Sequence, residues 1–138
     1  MSRTDGGGRQ GRARALASRL NGRPLVLVGM MGAGKTTVGR RLAARLGRQF
    51  IDSDEEIVKA ANMSIAEIFA RDGEAFFREK ETRVIGRLLD EKRGVLSTGG
   101  GAFLSERNRT MISEKGVSVW LTAPVDGLFN LVSQPGVV

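Results

Sequence analysis

The sequence GMMGAGKT, at residues 29–36, matches the pattern G-x-x-x-x-G-K-[ST] and decides the fold. Before it, residues 25–28 (LVLV) form a continuous apolar run, which is typical of a buried parallel strand. After it, residues 37–46 carry apolar side chains at helical spacing. A strand, a glycine-rich turn and a helix in this order predict a phosphate-binding loop. The alternative is a plain glycine-rich turn followed by a chance Lys-Thr pair.

Each part of this loop meets a requirement of phosphate binding. The glycines let successive backbone N–H groups turn towards an anion, and the following helix adds the positive end of its dipole. Lys35 can place its ammonium against the β- and γ-phosphates, and the Thr36 hydroxyl can ligate Mg²⁺. We expect the phosphate contacts of ATP at Gly32, Ala33, Gly34, Lys35, Thr36 and Thr37.

The positive charge of the chain is concentrated at its start. The formal net charge is +7, of which residues 1–23 carry +5 and the remainder +2. We therefore predict a flexible basic tail at residues 1–23 and one phosphate-loop domain at residues 24–138, and we do not expect nucleic-acid binding. No apolar run is long enough for a signal peptide or a membrane span, so we expect a cytoplasmic protein without membrane contact. We also expect a monomer.

The residue types that are missing restrict the chemistry. The chain has no cysteine and no histidine. Disulfides, Cys- or His-based zinc sites, cysteine nucleophiles and histidine acid–base catalysis are therefore excluded for this sequence. Any proton transfer by a side chain falls to Asp, Glu or Lys.

The order of elements predicts an α/β fold. After the phosphate loop, short apolar runs at residues 49–51, 95–97 and 117–121 read as strands. Helical patterns separate them at 54–61, 65–72, 74–90 and 105–114, and a last helix is predicted at 125–132. We therefore expect a phosphate-loop NTPase fold, an open, mostly parallel sheet with helices on both faces. Ligands bind at the carboxyl ends of the strands in such sheets.

Two carboxylates follow the second predicted strand. Asp54 is placed to accept a hydroxyl proton or orient that hydroxyl, although it is also a natural helix N-cap or dipole partner. Asp52, at the strand end, is harder to explain as a cap. It is the best candidate for a Mg²⁺ ligand acting through water, together with Thr36. No predicted strand ends in the usual metal-binding Asp of phosphate-loop enzymes.

Two further features are ambiguous from pattern alone. Arg78 would suit bidentate capture of a substrate carboxylate, but the charges at residues 78–81, taken alone, favour a solvated helix surface over a site. Three glycines, at 99–101, follow a predicted strand directly. They read either as a flexible linker or as a loop that lets backbone approach a ligand closely.

Taken together, five motifs over roughly residues 24–133 resemble the shikimate kinase family. They are GMMGAGKTTVG at 29–39, DSD at 52–54, SIAEIF at 64–69, GEAFFREKE at 73–81 and STGGG at 97–101. The resemblance implies that ATP phosphorylates the 3-hydroxyl of shikimate, in the route to aromatic amino acids, with Mg²⁺ as cofactor. It further implies catalytic roles for Lys35 and Asp54, with Asp54 as the base that also holds the substrate hydroxyls. The remaining implied residues are Arg78 for the carboxylate, Gly99, Gly100 and Gly101 as the substrate wall, and Glu81, which orients Arg78.

The sequence departs from the family's pattern at its end. Family members continue with an arginine-containing lid, a further helix and a last strand. Residues 116–138 contain no Lys or Arg, so we expect a C-terminally shortened domain without lid or last strand. Arginines that contact the transferred phosphate strongly accelerate such reactions. The alternative functions are therefore a nucleotide-binding module, or an inactive kinase fragment without turnover, and a third is phosphorylation of a different small hydroxy acid.

Overall fold

A computed structural model describes residues 11, 12, 14, 15, 18–29, 34–91, 94–121 and 131–133, and these form an α/β domain. The strands are β1 Leu25–Gly29, β2 Phe50–Asp52, β3 Val95–Ser97, β4 Val117–Leu121 and β5 Leu131–Ser133. The helices are α1 Lys35–Leu46, α2 Ser53–Ala61, α3 Ile65–Asp90 and α4 Glu106–Lys115, with a 3₁₀ turn at Ala102–Leu104. Within the described part of the chain, no helix combines the length and apolarity needed to cross a bilayer.

The five strands form one sheet in the order β2-β3-β1-β4-β5. The pairs β2–β3, β3–β1 and β1–β4 are parallel, and β4–β5 is antiparallel. The prediction of a mostly parallel sheet is therefore confirmed. The predicted helix at 125–132 is wrong where it can be checked, because Leu131 and Val132 pair with β4 as a strand. Residues 125–130 lie outside the described residues.

Helices cover both faces of the sheet, as predicted. Along β1, Leu25 and Leu27 pack with Ala43 of α1 on one face. Val26 and Val28 belong to the cluster on the other face, with α2, α3 and α4. This alternation follows from the two-residue repeat of a strand. Leu20 is 1% exposed and packs in the first cluster, so the core includes at least one residue of the stretch predicted as a flexible tail.

Local signals explain how α3 begins and bends. Ser64 accepts a hydrogen bond from the Glu67 N–H, and the Glu67 side chain accepts one from the Ser64 N–H. The sequence Ser64-Ile65-Ala66-Glu67 predicts this capping box. Gly73 interrupts the helix with φ 88°, so two helical segments meet there, as the sequence indicated. The helical pattern at 74–90 also predicts that Phe76 points inward, and this prediction is wrong. Its side chain is 40% exposed, because Phe77 takes the buried position directly after the bend.

Candidate active site

The start of α1 forms one wall of the candidate site. Gly34 adopts φ 79°, and no side chain of the described residues caps the helix, so the first N–H groups of α1 are suited to bind an anion. The Lys35 ammonium donates to the Gly29 carbonyl at 2.6 Å, across the loop. Burial lowers the pKa of Lys35, and the carboxylates of Asp54 and Asp52 oppose that shift. Gly32 and Ala33 lie outside the described residues.

A cavity of about 330 Å³ brings most of the predicted residues together. It lies at the carboxyl ends of β2 and β3 and at the start of α1, which is the edge where ligands bind in parallel sheets. Its lining consists of Gly34, Lys35, Thr36, Thr37, Asp52, Asp54, Ser97, Thr98, Gly99 and Gly100. Ser97 and Thr98 were not predicted as site residues, although their position between β3 and the glycine triplet was a usable signal.

The two carboxylates have different local tasks. Asp52 Oδ1 accepts hydrogen bonds from the Asp54 N–H at 2.8 Å and the Glu55 N–H at 3.4 Å. Asp52 is therefore the N-cap of α2, and assigning the capping alternative to Asp54 was wrong. The physical reason is that helical backbone already begins at Ser53, so the extended residue before it is the one able to cap.

Asp54 is consequently left with an unused oxygen. Its Oδ1 atom is buried and has no hydrogen-bond partner among the described residues. Burial raises the pKa of Asp54 and the nearby Asp52 carboxylate adds to the rise, whereas Lys35 and Arg78 oppose it. A carboxylate held near two cations with a free acceptor oxygen is suited to bind a hydroxyl and to take its proton.

Arg78 is held by a buried acid. Its Nη1 atom donates to Glu81 Oε1 at 3.0 Å, and the Glu81 side chain is only 1% exposed. Burial raises the pKa of Glu81, and Arg78 opposes that rise. The guanidinium also lies 5.2 Å from the centre of the Phe77 ring. Glu81 is therefore not part of a solvated surface. For this residue, the interpretation of residues 78–81 as a solvated helix surface is wrong.

The glycine triplet packs closely against these side chains. A Cβ on Gly99 would lie 2.9 Å from Asp54 Oδ1, and one on Gly101 would lie 2.6 Å from Arg78 Nη2. The backbone continues into the 3₁₀ turn through a hydrogen bond from the Ala102 N–H to the Gly99 carbonyl at 3.1 Å. Gly99 and Gly100 therefore line the cavity, and Gly101 packs beside Arg78, so the triplet is not a flexible linker.

A larger cavity, of about 450 Å³, lies beside β2 between α2 and the end of α3. Of the predicted site residues it contains only Asp52. Its two cations, Lys59 and Arg87, are both paired with Glu56. The chemistry is therefore concentrated in the smaller cavity.

Comparison with known proteins agrees with this geometry. A sequence model of the shikimate kinase family matches residues 31–136. The chain belongs to the shikimate kinase family. It is 69% identical over 108 residues to the shikimate kinase of Ruegeria pomeroyi, covering 78% of this chain and 55% of that protein. It is 52% identical over 131 residues to the shikimate kinase of Rhodopseudomonas palustris, covering 95% of this chain and 64% of that protein.

Solved structures of the family share the fold. The shikimate kinase from Acinetobacter baumannii in complex with shikimate has 48% identity and a TM-score of 0.71, over 74% of this chain and 57% of that one. The shikimate kinase from Aquifex aeolicus has 37% identity and a TM-score of 0.70, over 75% and 61%. The chain thus spans between about half and two thirds of the length of these family members.

Proposed function

We propose that this chain uses ATP to phosphorylate the 3-hydroxyl of shikimate, giving shikimate 3-phosphate in the biosynthesis of aromatic amino acids through chorismate. The observation that carries the proposal is the arrangement of Asp54 relative to Lys35 and Arg78. One carboxylate with an unpartnered oxygen interacts with a phosphate-loop ammonium and with a guanidinium held by a buried acid. Phosphoryl transfer needs positive charge, a group that binds the phosphates and an oriented acceptor hydroxyl, all close together.

The nucleotide would bind at the start of α1. Gly34, Thr36 and Thr37 lie at or beside the uncapped helix terminus, where backbone N–H groups and the helix dipole favour phosphate oxygens. The Lys35 ammonium would exchange its contact with the Gly29 carbonyl for the β- and γ-phosphates. This exchange replaces a hydrogen bond to a neutral carbonyl with hydrogen bonds to negatively charged phosphate oxygens, which are stronger.

The acceptor would bind on the opposite side. Arg78 would hold the carboxylate of shikimate, because a guanidinium matches a carboxylate with two parallel hydrogen bonds. Asp54 would bind the ring hydroxyls and accept the proton of the reacting one. Gly100, which lines the cavity between the two glycines that contact these side chains, would donate its backbone N–H.

The residues present fit a magnesium ion bound in the manner usual for this metal. Thr36 and Asp52 both line the cavity, and only one Asp52 oxygen is used in capping α2. The described residues hold no cluster of three or more acidic, His or Cys side chains, so most ligands would be phosphate oxygens and water. When bound, Mg²⁺ would neutralise charge on the β- and γ-phosphates.

Three coarser expectations belong to the same proposal. The enzyme would work in the cytoplasm and as a monomer, with a basic tail before the catalytic domain. The nearly balanced charge of the chain after residue 23 supports small-molecule substrates over nucleic acid.

A coupled assay with ATP, Mg²⁺ and shikimate tests the proposal, with a panel of other small hydroxy acids in place of shikimate. Asp54→Asn should reduce kcat by about 10²–10⁴-fold and leave nucleotide affinity unchanged. Lys35→Ala should lose both turnover and nucleotide binding. Glu55→Gln, at the exposed neighbour of Asp54, is the matched control and should retain activity.

Each other outcome has a definite meaning. Nucleotide binding by the unmodified chain without turnover of any acceptor would favour a nucleotide-binding module and contradict the proposal. Turnover of another hydroxy acid in preference to shikimate would reject the acceptor and keep the reaction class.

A further inference from the structure

Asn108 is a fully buried polar residue just outside the candidate site. It lies in the first turn of α4 with 0% exposure. Its backbone N–H donates to the Oγ of the N-cap Ser105 at 3.2 Å. Its side-chain amide turns back and donates to the Ala102 carbonyl at 2.8 Å. Burying an amide without hydrogen bonds costs free energy, so the bond to the Ala102 carbonyl fixes the orientation of the Asn108 side chain.

The Ala102 carbonyl has a hydrogen-bond donor even without the Asn108 side chain. It already accepts the Ser105 N–H at 3.3 Å within the 3₁₀ turn. The second oxygen of the arrangement, Asn108 Oδ1, has no partner among the described residues. The Asn108 amide therefore adds a second hydrogen bond to this carbonyl, and that bond links α4 to the 3₁₀ turn.

That turn is continuous with the glycine wall of the cavity. The Ala102 N–H donates to the Gly99 carbonyl at 3.1 Å, and the Leu104 N–H donates to the Gly101 carbonyl at 3.2 Å. Gly99 and Gly101 are the glycines that leave no room for a Cβ beside Asp54 and Arg78. A shift of a few tenths of an ångström in the turn would therefore reach the glycines that pack against Asp54 and Arg78.

We infer that Asn108 is a positioning residue for the acceptor half of the site. By tying Ala102 to α4, it fixes the distance of the glycine triplet from Asp54 and Arg78, and so sets the affinity for the hydroxy acid but not for the nucleotide. The inference rests on the proposed function, with shikimate as acceptor.

Asn108→Leu is the informative variant, because leucine has the same branched arrangement of side-chain heavy atoms but cannot donate a hydrogen bond to the Ala102 carbonyl. It also removes the unpartnered Oδ1 acceptor, so it need not lower stability. Asn108→Ala is the second variant. Ile112→Val, at another fully buried position of α4, is the control for a general loosening of the helix.

Trp120 is the fluorescent probe for acceptor binding, with calorimetric titration as the reference measurement. It is the only tryptophan of the chain, and its ring contacts Phe103 of the 3₁₀ turn edge-on at 5.1 Å. We expect Asn108→Leu to weaken shikimate binding about fivefold to tenfold, the effect of losing one hydrogen bond, with the Kd for ATP unchanged. Ile112→Val should change neither. A merely structural role would lower the fraction of folded protein and leave both Kd values alone.

Hydrogen exchange gives a readout that does not depend on the substrate. In Asn108→Leu, the Ala102 amide should exchange several times faster, and in Ile112→Val it should not. Unchanged exchange of Ala102 would overturn the inference whether or not shikimate binds. Faster exchange with an unchanged Kd for shikimate would also overturn it. If neither Asn108 variant folds, the residue determines the fold and a local positioning role is wrong. Absence of shikimate binding by the unmodified chain, with faster exchange in the variant, would contradict the proposed acceptor instead.

Discussion

Glu81 and Arg78 form an ion pair within one helical turn in which the acid is buried and the base is not. The Glu81 side chain is 1% exposed, and that of Arg78 is 39% exposed. The buried carboxylate accepts a hydrogen bond from one N–H of the guanidinium. The other donors have no partner among the described residues, so they can bind an anion. Removing the Glu81 carboxylate from water costs free energy, and the contact with Arg78 partly offsets this cost.

We predict that Glu81→Gln weakens shikimate binding about tenfold, because the neutral amide holds the guanidinium less firmly. Isothermal titration of the variant with shikimate measures this loss. Glu79→Gln is the matched control on the same helix, since Glu79 is 52% exposed and pairs with Arg83 at 3.6 Å. That control should stay within about twofold of the unmodified chain, as expected for a surface ion pair. Equal losses for both variants would refute a specific role for Glu81.

Gly101→Ala should weaken shikimate binding and leave the fold intact. Gly101 has φ −91°, which alanine adopts without strain. The three atoms nearest to the added Cβ would all belong to the guanidinium of Arg78, the first at 2.6 Å, so Arg78 must move. We expect the free energy of unfolding to change by less than about 1 kcal/mol and the shikimate affinity to fall about tenfold. Thermal melts and titrations measure the two quantities.

Gly86→Ala provides the opposite control. Gly86 lies inside α3, and a Cβ there would meet Met111 Sδ at 3.4 Å, an ordinary contact. We expect stabilisation by about 0.5–1 kcal/mol with no change in shikimate affinity, since alanine is the better helix former. A loss of affinity in Gly86→Ala would show that the site is sensitive to any change in α3.

Asp54→Asn should stabilise the protein at neutral pH while it removes turnover. Burial raises the pKa of Asp54 from 3.8, so the folded chain keeps this proton to higher pH than the unfolded chain does. The contribution of Asp54 to stability therefore falls as pH rises from 3.8 through the raised pKa. The variant should be more stable above that window, by no more than about 1 kcal/mol because solvent screens a partly exposed group.

Thermal melts from pH 3 to pH 8 check the sign, and the difference between the two proteins should disappear below about pH 3.8. A variant that becomes less stable as pH rises would mean that Lys35 and Arg78 outweigh the cost of burial.

The elements with strong local signals were predictable from the sequence. The phosphate-loop strand and helix, the capping box at Ser64 and the break at Gly73 depend on neighbours in the sequence. The sequence also predicted that most candidate site residues lie close together, because the carboxyl ends of parallel strands lie at the same edge of the sheet.

The errors concern properties that local sequence does not determine. Which of two acids caps α2 depends on where helical backbone begins, within one residue. The exposure of Phe76 depends on the angle of the bend at Gly73, and β5 forms because β4 offers a free edge. Glu81 and Asn108 look like surface residues until packing buries them.

The central claim is that the cavity beside Asp54 binds shikimate through a carboxylate contact with Arg78. A calorimetric cycle with two ligands, shikimate and its methyl ester, and two proteins, the unmodified chain and Arg78→Gln, tests it most directly. We predict that the unmodified chain binds shikimate about 10²-fold more tightly than the ester, and that Arg78→Gln binds both equally weakly. Equal affinity of the unmodified chain for the two ligands, or no binding of shikimate, would contradict the claim.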